Sequence, residues 1–233
     1  MRPKHIVILG GGFGGVALAN ALARQRPART RVTLLSEENF MVYSPLLSEV
    51  VGGSLLPAHA VAPIRQLLHD VTFHRVRVTG VDLDASQVLF QGGIGHLEFD
   101  DLVLACGLRS RLDVIPGMGD YGFPLRGLGD ALELRNRVLL QLERAELETD
   151  PGRRRRLMRF AVVGGGASGV ETAGAINDFL RAACRHYPAL DSAALGVCLV
   201  HAGERLIDEL PGGLGDFARR HMERRGVDVR LGA

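Results

Sequence analysis

The sequence contains no tryptophan, only one lysine (Lys4) and three widely separated cysteines. Three scattered cysteines are too few for a disulfide framework, and no C-x-x-C or C-x4-C pair is present, which argues against disulfide reduction. The eight histidines include no H-x3-H pair, so no zinc-site spacing is found. There is also no G-x-S-x-G elbow for hydrolysis. We expect no bound metal and a reducing, cytoplasmic setting.

An excess of either charge is also lacking. The 28 lysines and arginines nearly balance the 26 acidic residues, so no nucleic-acid partner is expected. Arg153–Arg156, followed by Arg159, forms the one charge run. Nucleic acid or anionic lipid would suit such a run, but we interpret it as a solvated connector before a buried strand.

Long hydrophobic runs are scarce, and only residues 6–23 approach the length of a membrane helix or a signal peptide. Five glycines interrupt this run near its middle, where a spanning helix or a signal sequence gains least. The residues before the glycines favour a strand and those after them favour a helix. We therefore interpret the run as strand, turn and helix.

Hydrophobic periodicity predicts a βαβ unit at the start of the chain, with a strand at 6–9, a helix at 16–23 and a strand at 31–35. Helix fragments at 44–69 follow. Short alternating stretches between 71 and 99, including one at 75–78 and a turn at Gly92-Gly93, predict an antiparallel meander. A buried strand at 101–106 comes next.

Beyond a turn at 115–117, the pattern predicts a long helix at 128–148, a polar connector at 150–156, and then the opening pattern again. The repeat comprises a strand at 160–163, a helix to about residue 187, a strand at 195–201, a helix at 213–225 and a strand at 227–231. We predict an α/β fold with two Rossmann-like dinucleotide-binding domains, each three-layered around a parallel sheet, plus the antiparallel β-meander. The predicted domains are 1–115 and 116–233.

Each βαβ start carries a glycine-rich turn of the form G-x-G-x-x-G, at Gly10–Gly15 and at Gly164–Gly169. The first glycine permits a tight turn, the second lets the backbone approach a pyrophosphate, and the third lets the helix pack on its strand. Amide groups at the helix start then face the phosphate oxygens. Two dinucleotides in one chain indicate a flavin and a nicotinamide, and hence hydride transfer.

A carboxylate for the adenosine ribose is expected about twenty residues after each motif. The second strand of the first unit ends at Ser36-Glu37-Glu38, where Glu37 or Glu38 either binds the ribose or is a solvated loop charge. In the second unit, His201 stands where an NADH site often has a carboxylate, and Arg205 lies close enough to meet a 2′-phosphate. The choice between NADH and NADPH therefore stays open.

Four segments together resemble the type II, single-subunit NADH dehydrogenases. They are HIVILGGGFGG at 5–15, VTLLSEENFMVYSPLLSEVVGG at 32–53, DLVLACG at 101–107 with IPG at 115–117, and AVVGGGASGVETAGAINDFL at 161–180. The resemblance runs in order along essentially the whole chain. It implies an FAD-dependent NAD(P)H dehydrogenase that passes electrons to a quinone.

The resemblance also implies roles for particular residues. The 1–115 domain would bind FAD, through Gly10, Gly12, Phe13, Gly14, Gly15, Ser36, Glu37, Pro45, Leu46, Val78, Ala105, Cys106 and Gly107. The 116–233 domain would bind NADH or NADPH, through Gly164, Gly166, Ser168, Gly169, His201 and Arg205. Glu171 matches a glutamate near the contact of nicotinamide and flavin; alternatively it is a first-turn acid that complements the helix dipole.

The sequence departs from the family at three points. Ser36 replaces an acid, and Cys106 replaces the threonine of an A-T-G segment, where we interpret it as a buried apolar filler. Family members also continue past the position of Ala233, with a Gly-Asp motif at the flavin and a C-terminal segment that docks on the membrane.

We therefore expect both domains to be incomplete. A membrane-surface partner, on the inner face of the cytoplasmic membrane, is expected only if a further C-terminal segment exists. Two alternatives to the dehydrogenase stay open: a non-catalytic dinucleotide-binding fragment, and a soluble NAD(P)H-dependent reductase of an electron-transfer protein. The oligomeric state is not indicated.

Overall fold

A computed structural model describes residues 2–25, 29–91 and 95–233, arranged in two compact units. The first unit contains the chain up to Tyr43 together with Val61–Arg111, and the second contains Ser44–Ala60 together with Leu112–Ala233. The compact units thus differ from a division at residue 115 in where Ser44–Ala60 belongs. The predicted turn at Gly92-Gly93 lies outside the described residues.

The helices and strands follow one another along the chain in an alternating order. They are β1 (Lys4–Leu9), α1 (Phe13–Gln25), β2 (Thr30–Ser36), β3 (Phe40–Val42), α2 (Leu47–Gly52), β4 (Val61–Pro63), α3 (Ile64–Leu67), β5 (Thr72–Arg75), β6 (Val78–Asp82), β7 (Gln87–Phe90), β8 (His96–Glu98), β9 (Asp101–Leu104), α4 (Met118–Tyr121), α5 (Leu128–Leu147), α6 (Pro151–Leu157), β10 (Arg159–Val163), α7 (Ala167–Cys184), β11 (Gly196–Val200), α8 (Gly212–Arg224) and β12 (Val227–Arg230). Short 3-10 turns lie at Ser44–Leu46, Pro57–Ala60 and Ser192–Ala194.

The first unit is built on a parallel sheet with the strand order β5-β2-β1-β9. An antiparallel pair, β3-β4, and an antiparallel meander, β6-β7-β8, complete it. Side chains of β1 alternate between the two faces of the sheet, as strand geometry requires. Ile8 packs with Ala19 of α1 on one face, and Val7 and Leu9 pack with Val88 of the meander on the other. The parallel sheet is therefore covered by a helical layer and by a second β layer.

The second unit is built on the parallel sheet β10-β11-β12. Helix α7 packs against β10 and β11, and α8 packs against β12. Helix α2 packs against α5 and α7 through the buried residues Leu47, Val50 and Val51. Its approach to α7 is close, because a Cβ on Gly52 would lie 3.0 Å from the Cβ of Ala175.

The α/β fold class with parallel sheets and a β-meander is confirmed, but two local predictions are wrong. The stretch predicted as the first meander strand, at 75–78, is divided: Thr72–Arg75 pairs in parallel with β2, and the meander begins at Val78. The alternating pattern alone does not distinguish a parallel edge strand from an antiparallel one. The predicted connector at 150–156 is helix α6, with Pro151 as its first residue and Asp150 as its N-cap.

Candidate functional site

The first glycine-rich turn connects β1 to α1, and two of its glycines stand where no side chain fits. Gly10 has a φ of +115°, and a Cβ there would lie 2.2 Å from the carbonyl oxygen of Ala105. A Cβ on Gly15 would lie 1.9 Å from the carbonyl oxygen of Gly10. The Gly10 amide donates to the carbonyl of Leu35 at 2.8 Å, which fixes the turn to the end of β2. These contacts close the helix tightly onto the strand.

The second glycine-rich turn, between β10 and α7, repeats this geometry. Gly164 has a φ of +113°, and its amide donates to the carbonyl of Val200 at 2.8 Å. A Cβ on Gly169 would lie 1.8 Å from the carbonyl oxygen of Gly164. The same local structure is therefore built once in each unit.

The middle glycine of each turn faces open space instead. A Cβ on Gly12 would meet no atom within 4 Å, and a Cβ on Gly166 would meet only Glu209 Oε1, at 3.8 Å. The first amides of a helix lack partners inside the helix and carry its positive dipole end. An open backbone surface beside such amides fits the pyrophosphate of a dinucleotide. Each turn therefore fits one such cofactor.

The end of β2 lies beside the first turn and holds the predicted ribose-binding residues. The Ser36 side chain packs on Gly11, where a Cβ would lie 2.6 Å from Ser36 Oγ. Glu37 Oε1 lies 3.6 Å from a guanidinium nitrogen of Arg77, and both side chains are more than half exposed. Glu38 is also exposed. Glu37 is therefore accessible at the edge of the turn, although it is shared with an arginine.

The segment after β9 lies against the end of β1 in the same unit. The Ala105 amide donates to the carbonyl of Leu9 at 2.8 Å, and Gly107 has a φ of +66°. Cys106 Sγ lies 3.6 Å from the same Leu9 oxygen, yet the residue is exposed, so the interpretation of Cys106 as a buried filler is wrong. The chain has already left the sheet at this point, because β9 ends at Leu104. Val78 is half-buried and begins the meander.

The remaining residues predicted for FAD fall in both units. Phe13, at the start of α1, is half exposed and meets Tyr43 edge to face with the ring centroids 5.7 Å apart. A Cβ on Gly14 would meet no atom within 4 Å. Pro45 and Leu46 lie in a 3-10 turn that belongs to the second unit, whereas the glycine turn of the predicted FAD domain belongs to the first.

Glu171 is the fifth residue of α7, because the helix begins at Ala167. It therefore lies in the second turn, and the alternative interpretation as a first-turn acid is wrong, since the dipole effect falls off within the first turn. Glu171 is exposed and lines a cavity of about 80 Å³ within the second unit, together with Ser44, Ser48, Leu125, Arg126, Ser168 and Thr172. Thr172 Oγ1 donates to the Ser168 carbonyl at 2.7 Å. Glu171 and Ser168 are thus brought together at the start of α7.

His201 and Arg205 meet at a residue that sequence reasoning missed. His201 directly follows β11, and its ring packs on the second turn, where a Cβ on Gly165 would lie 2.5 Å from its Cγ. His201 Nε2 lies 3.5 Å from Asp208 Oδ2, and Arg205 Nε lies 3.7 Å from Asp208 Oδ1. The only signal for Asp208 in the sequence is an acid in the loop after β11, and periodicity does not place loop residues.

Neither a metal-binding cluster nor a membrane-spanning helix is found within residues 2–25, 29–91 and 95–233. In these ranges, no group of three or more histidine, cysteine, aspartate or glutamate residues is arranged to hold a metal ion. No helix there combines the length and the apolar character needed to cross a bilayer.

Comparison with known proteins places this geometry in a family. The family described as pyridine nucleotide-disulphide oxidoreductase matches residues 4–233. The chain is 32% identical to the type II NADH:quinone oxidoreductase Ndh of Mycobacterium tuberculosis, over 100% of this chain and 51% of that protein. It is 28% identical to the external alternative NAD(P)H-ubiquinone oxidoreductase B4 of Arabidopsis thaliana, over 100% of this chain and 42% of that protein.

Structural comparison agrees on the fold. NDH2 of Plasmodium falciparum, solved in complex with NADH, superposes with a TM-score of 0.89 at 24% identity, over 99% of this chain and 48% of that one. The chain thus spans about half the length of the relatives it matches. Because the family match covers nearly every residue, the chain belongs to the pyridine nucleotide-disulphide oxidoreductase family, and its curated relatives are type II NADH:quinone oxidoreductases.

Proposed function

We propose that this chain supplies the FAD-binding and NAD(P)H-binding parts of an NAD(P)H:quinone oxidoreductase of the type II kind. The observation that carries this proposal is the repeated turn: Gly10–Gly15 and Gly164–Gly169 have the same backbone geometry in separate units. Two pyrophosphate cradles in one chain match the need for one flavin and one nicotinamide. The names of the relatives, which are NADH:quinone and NAD(P)H-ubiquinone oxidoreductases, support the choice of donor and acceptor.

In this proposal the predicted domain 1–115 holds FAD. Gly10 and Gly15 close the turn, and Gly12 leaves room for the pyrophosphate. Glu37 is the acid available to the adenosine ribose, because it lies at the carboxyl end of β2 beside the turn. The backbone from Ala105 to Gly107, held to Leu9, lines the flavin side.

The predicted domain 116–233 holds the nicotinamide dinucleotide. Gly164 and Gly169 close the second turn, and Gly166 leaves room for the pyrophosphate. Ser168, the second residue of α7, lies where helix amides meet phosphate oxygens. Glu171, one helical turn further along, is the residue that we assign to the nicotinamide end of the site.

A bound flavin would accept a hydride equivalent from the nicotinamide and pass electrons to the quinone. The protein's part is to bind and orient the two dinucleotides and to set the charge around them. The chain holds no paired cysteines, and its three thiols are free, so disulfide reduction is not part of this proposal. Attachment to a membrane surface, at the inner face of the cytoplasmic membrane, is proposed only for a form that carries a docking segment beyond Ala233.

Reconstitution with FAD tests the proposal. The chain should retain flavin absorption after gel filtration, bind NADH in a calorimetric titration, and oxidise NADH with a soluble quinone as acceptor. The Gly12→Val variant should lose flavin and keep NADH binding, because its side chain would fill only the first cradle. A wild-type chain that retains no flavin after reconstitution would contradict the FAD assignment. Binding of both cofactors without turnover would leave a non-catalytic binding protein.

A further inference from the structure

The loop after β11 folds back onto the second glycine-rich turn and is anchored there. The amide of Ile207 donates to the carbonyl of Gly165 at 2.8 Å, and Leu206 is only 1% exposed. Ile207 has a φ of +53°, which is unusual for a β-branched residue and is held only where surrounding contacts enforce it. The conformation of residues 205–209 is therefore fixed by the turn that it covers.

This anchoring places the carboxylate of Asp208 against His201. Asp208 Oδ2 lies 3.5 Å from His201 Nε2, and Oδ1 lies 3.7 Å from Arg205 Nε. Gly203 makes the arrangement possible, because a Cβ there would lie 2.7 Å from Asp208 Oδ2 and 2.8 Å from His201 Nε2. The side chain of Asp208 remains about half exposed, so it is open to a ligand.

The position of this carboxylate matches a known need of dinucleotide sites. The adenosine ribose of a dinucleotide lies at the end of the second strand, which here is β11, and a strand-end acid usually binds its hydroxyls. In this chain that position is a histidine, and the carboxylate arrives from the loop instead. Arg205, the nearest cation for a 2′-phosphate, is at the same time engaged by Asp208.

We propose that Asp208 is the specificity-determining residue of this site and selects NADH over NADPH. Its carboxylate accepts hydrogen bonds from the ribose hydroxyls of NADH. It repels the 2′-phosphate of NADPH and holds Arg205 away from that phosphate. The inference rests on the proposed function, because it takes the second turn to be the nicotinamide-dinucleotide site.

The test compares the affinities for NADH and NADPH, each measured by calorimetry on the FAD-reconstituted chain. Wild type should prefer NADH. The Asp208→Asn variant should shift the NADPH-to-NADH affinity ratio by about tenfold or more toward NADPH, since it removes a charge and releases Arg205. Adding Arg205→Ala to Asp208→Asn should cancel most of this gain.

Glu209→Gln is the matched control. Glu209 Oε1 lies 3.8 Å from the Cβ position of Gly166, on the pyrophosphate side of the site, which is common to both dinucleotides. Removing this charge should therefore change both affinities alike and leave their ratio near the wild-type value. If Asp208→Asn does not fold, Gly203→Ala decides, since its Cβ would displace the carboxylate and should shift the ratio in the same direction.

Each result bears on a different assignment. A wild-type preference for NADPH, or an unchanged ratio in a folded Asp208→Asn variant that still binds NADH, overturns the role of Asp208. A wild-type chain that binds neither dinucleotide overturns the proposed function along with it.

Discussion

The carbonyl oxygen of Gly164 lies 1.8 Å from the point that a Cβ of Gly169 would occupy, and Gly10 stands in the same relationship to Gly15, at 1.9 Å. A side chain at the third glycine of either motif would therefore collide with backbone. The second glycine of each motif, by contrast, faces open space. Within one short motif, some glycines let the fold close and another leaves room for a ligand.

This difference predicts opposite behaviour for two similar variants in the second unit. Gly169→Ala should lower the free energy of unfolding by about 2 kcal/mol or more, because the clash is with backbone that cannot rotate away. Gly166→Ala should change it by less than about 0.5 kcal/mol but weaken NADH binding, since its Cβ occupies the cradle. Urea denaturation and an NADH titration measure the two effects. Equal stability of the two variants would contradict the assignment.

Cys106 should be the one rapidly reacting thiol of the chain. It is exposed, whereas burial is the main cause that raises the pKa of the Cys184 and Cys198 thiols and so lowers their thiolate fraction. A thiol-specific reagent near neutral pH should label a single fast site, and Cys106→Ser should remove it. Because Cys106 lies in the segment proposed to line the flavin, FAD should slow its labelling. Fast labelling of Cys106→Ser would show that another thiol is accessible.

The buried residue His5 should make the first unit sensitive to acid. Its Nε2 lies 2.8 Å from Thr33 Oγ1, and Arg31 donates to its Nδ1 at 2.9 Å. Burial, followed by the Arg31 guanidinium, lowers the pKa of His5 from its ordinary 6.5. In the window between the two pKa values, the unfolded chain binds a proton that the native chain does not. The stabilisation is complete above pH 6.5 and is lost as the pH falls through the lower native pKa.

The His5→Gln variant is the control for this effect, because glutamine is neutral at all of these pH values and retains a polar group. Urea denaturation of both proteins across the window should give a shallower pH dependence for the variant. Parallel curves for wild type and variant would show that another group causes the acid sensitivity.

Asp150 should contribute to stability through helix α6. Its Oδ1 accepts a hydrogen bond from the Arg153 amide at 2.6 Å, and Pro151 follows at the first helical position. Asp150→Ala should lower the free energy of unfolding by about 1 kcal/mol, whereas Asp150→Asn, which keeps an acceptor oxygen, should cost less. Thermal or urea unfolding measures the difference. An Asp150→Ala variant as stable as wild type would exclude a capping role.

Much of the fold is predictable because its signals are local. A β-branched run, a glycine turn and an alanine-rich helix occur together twice, and this order specifies the two βαβ units. Helix α6 is also within reach, since Asp150-Pro151 is a helix-start signal, but the arginine run after it equally favours solvated chain. The parallel partner of Thr72–Arg75 is not, because alternation gives the faces of a strand and not its neighbour.

The site is predictable only where it coincides with those local signals. The glycines of both turns follow from spacing alone. Asp208 does not, because its place beside His201 depends on a hydrogen bond from Ile207 back to Gly165 and on the unusual φ of Ile207. The exposure of Cys106 likewise depends on how the chain leaves β9, which the sequence pattern of a buried strand does not reveal.

Helix α2 gives the chain an inserted architecture. Leu47, Val50 and Val51 are buried against helices of the second unit, although the residues before and after the Ser44–Ala60 segment belong to the first. A fragment that began at residue 116 would leave α5 and α7 without this partner, and a fragment that ended at 115 would carry α2 with nothing to cover it. Exchanging one cofactor-binding unit with a relative therefore requires more than one recombination crossover, so we expect the two units to be inherited as a pair.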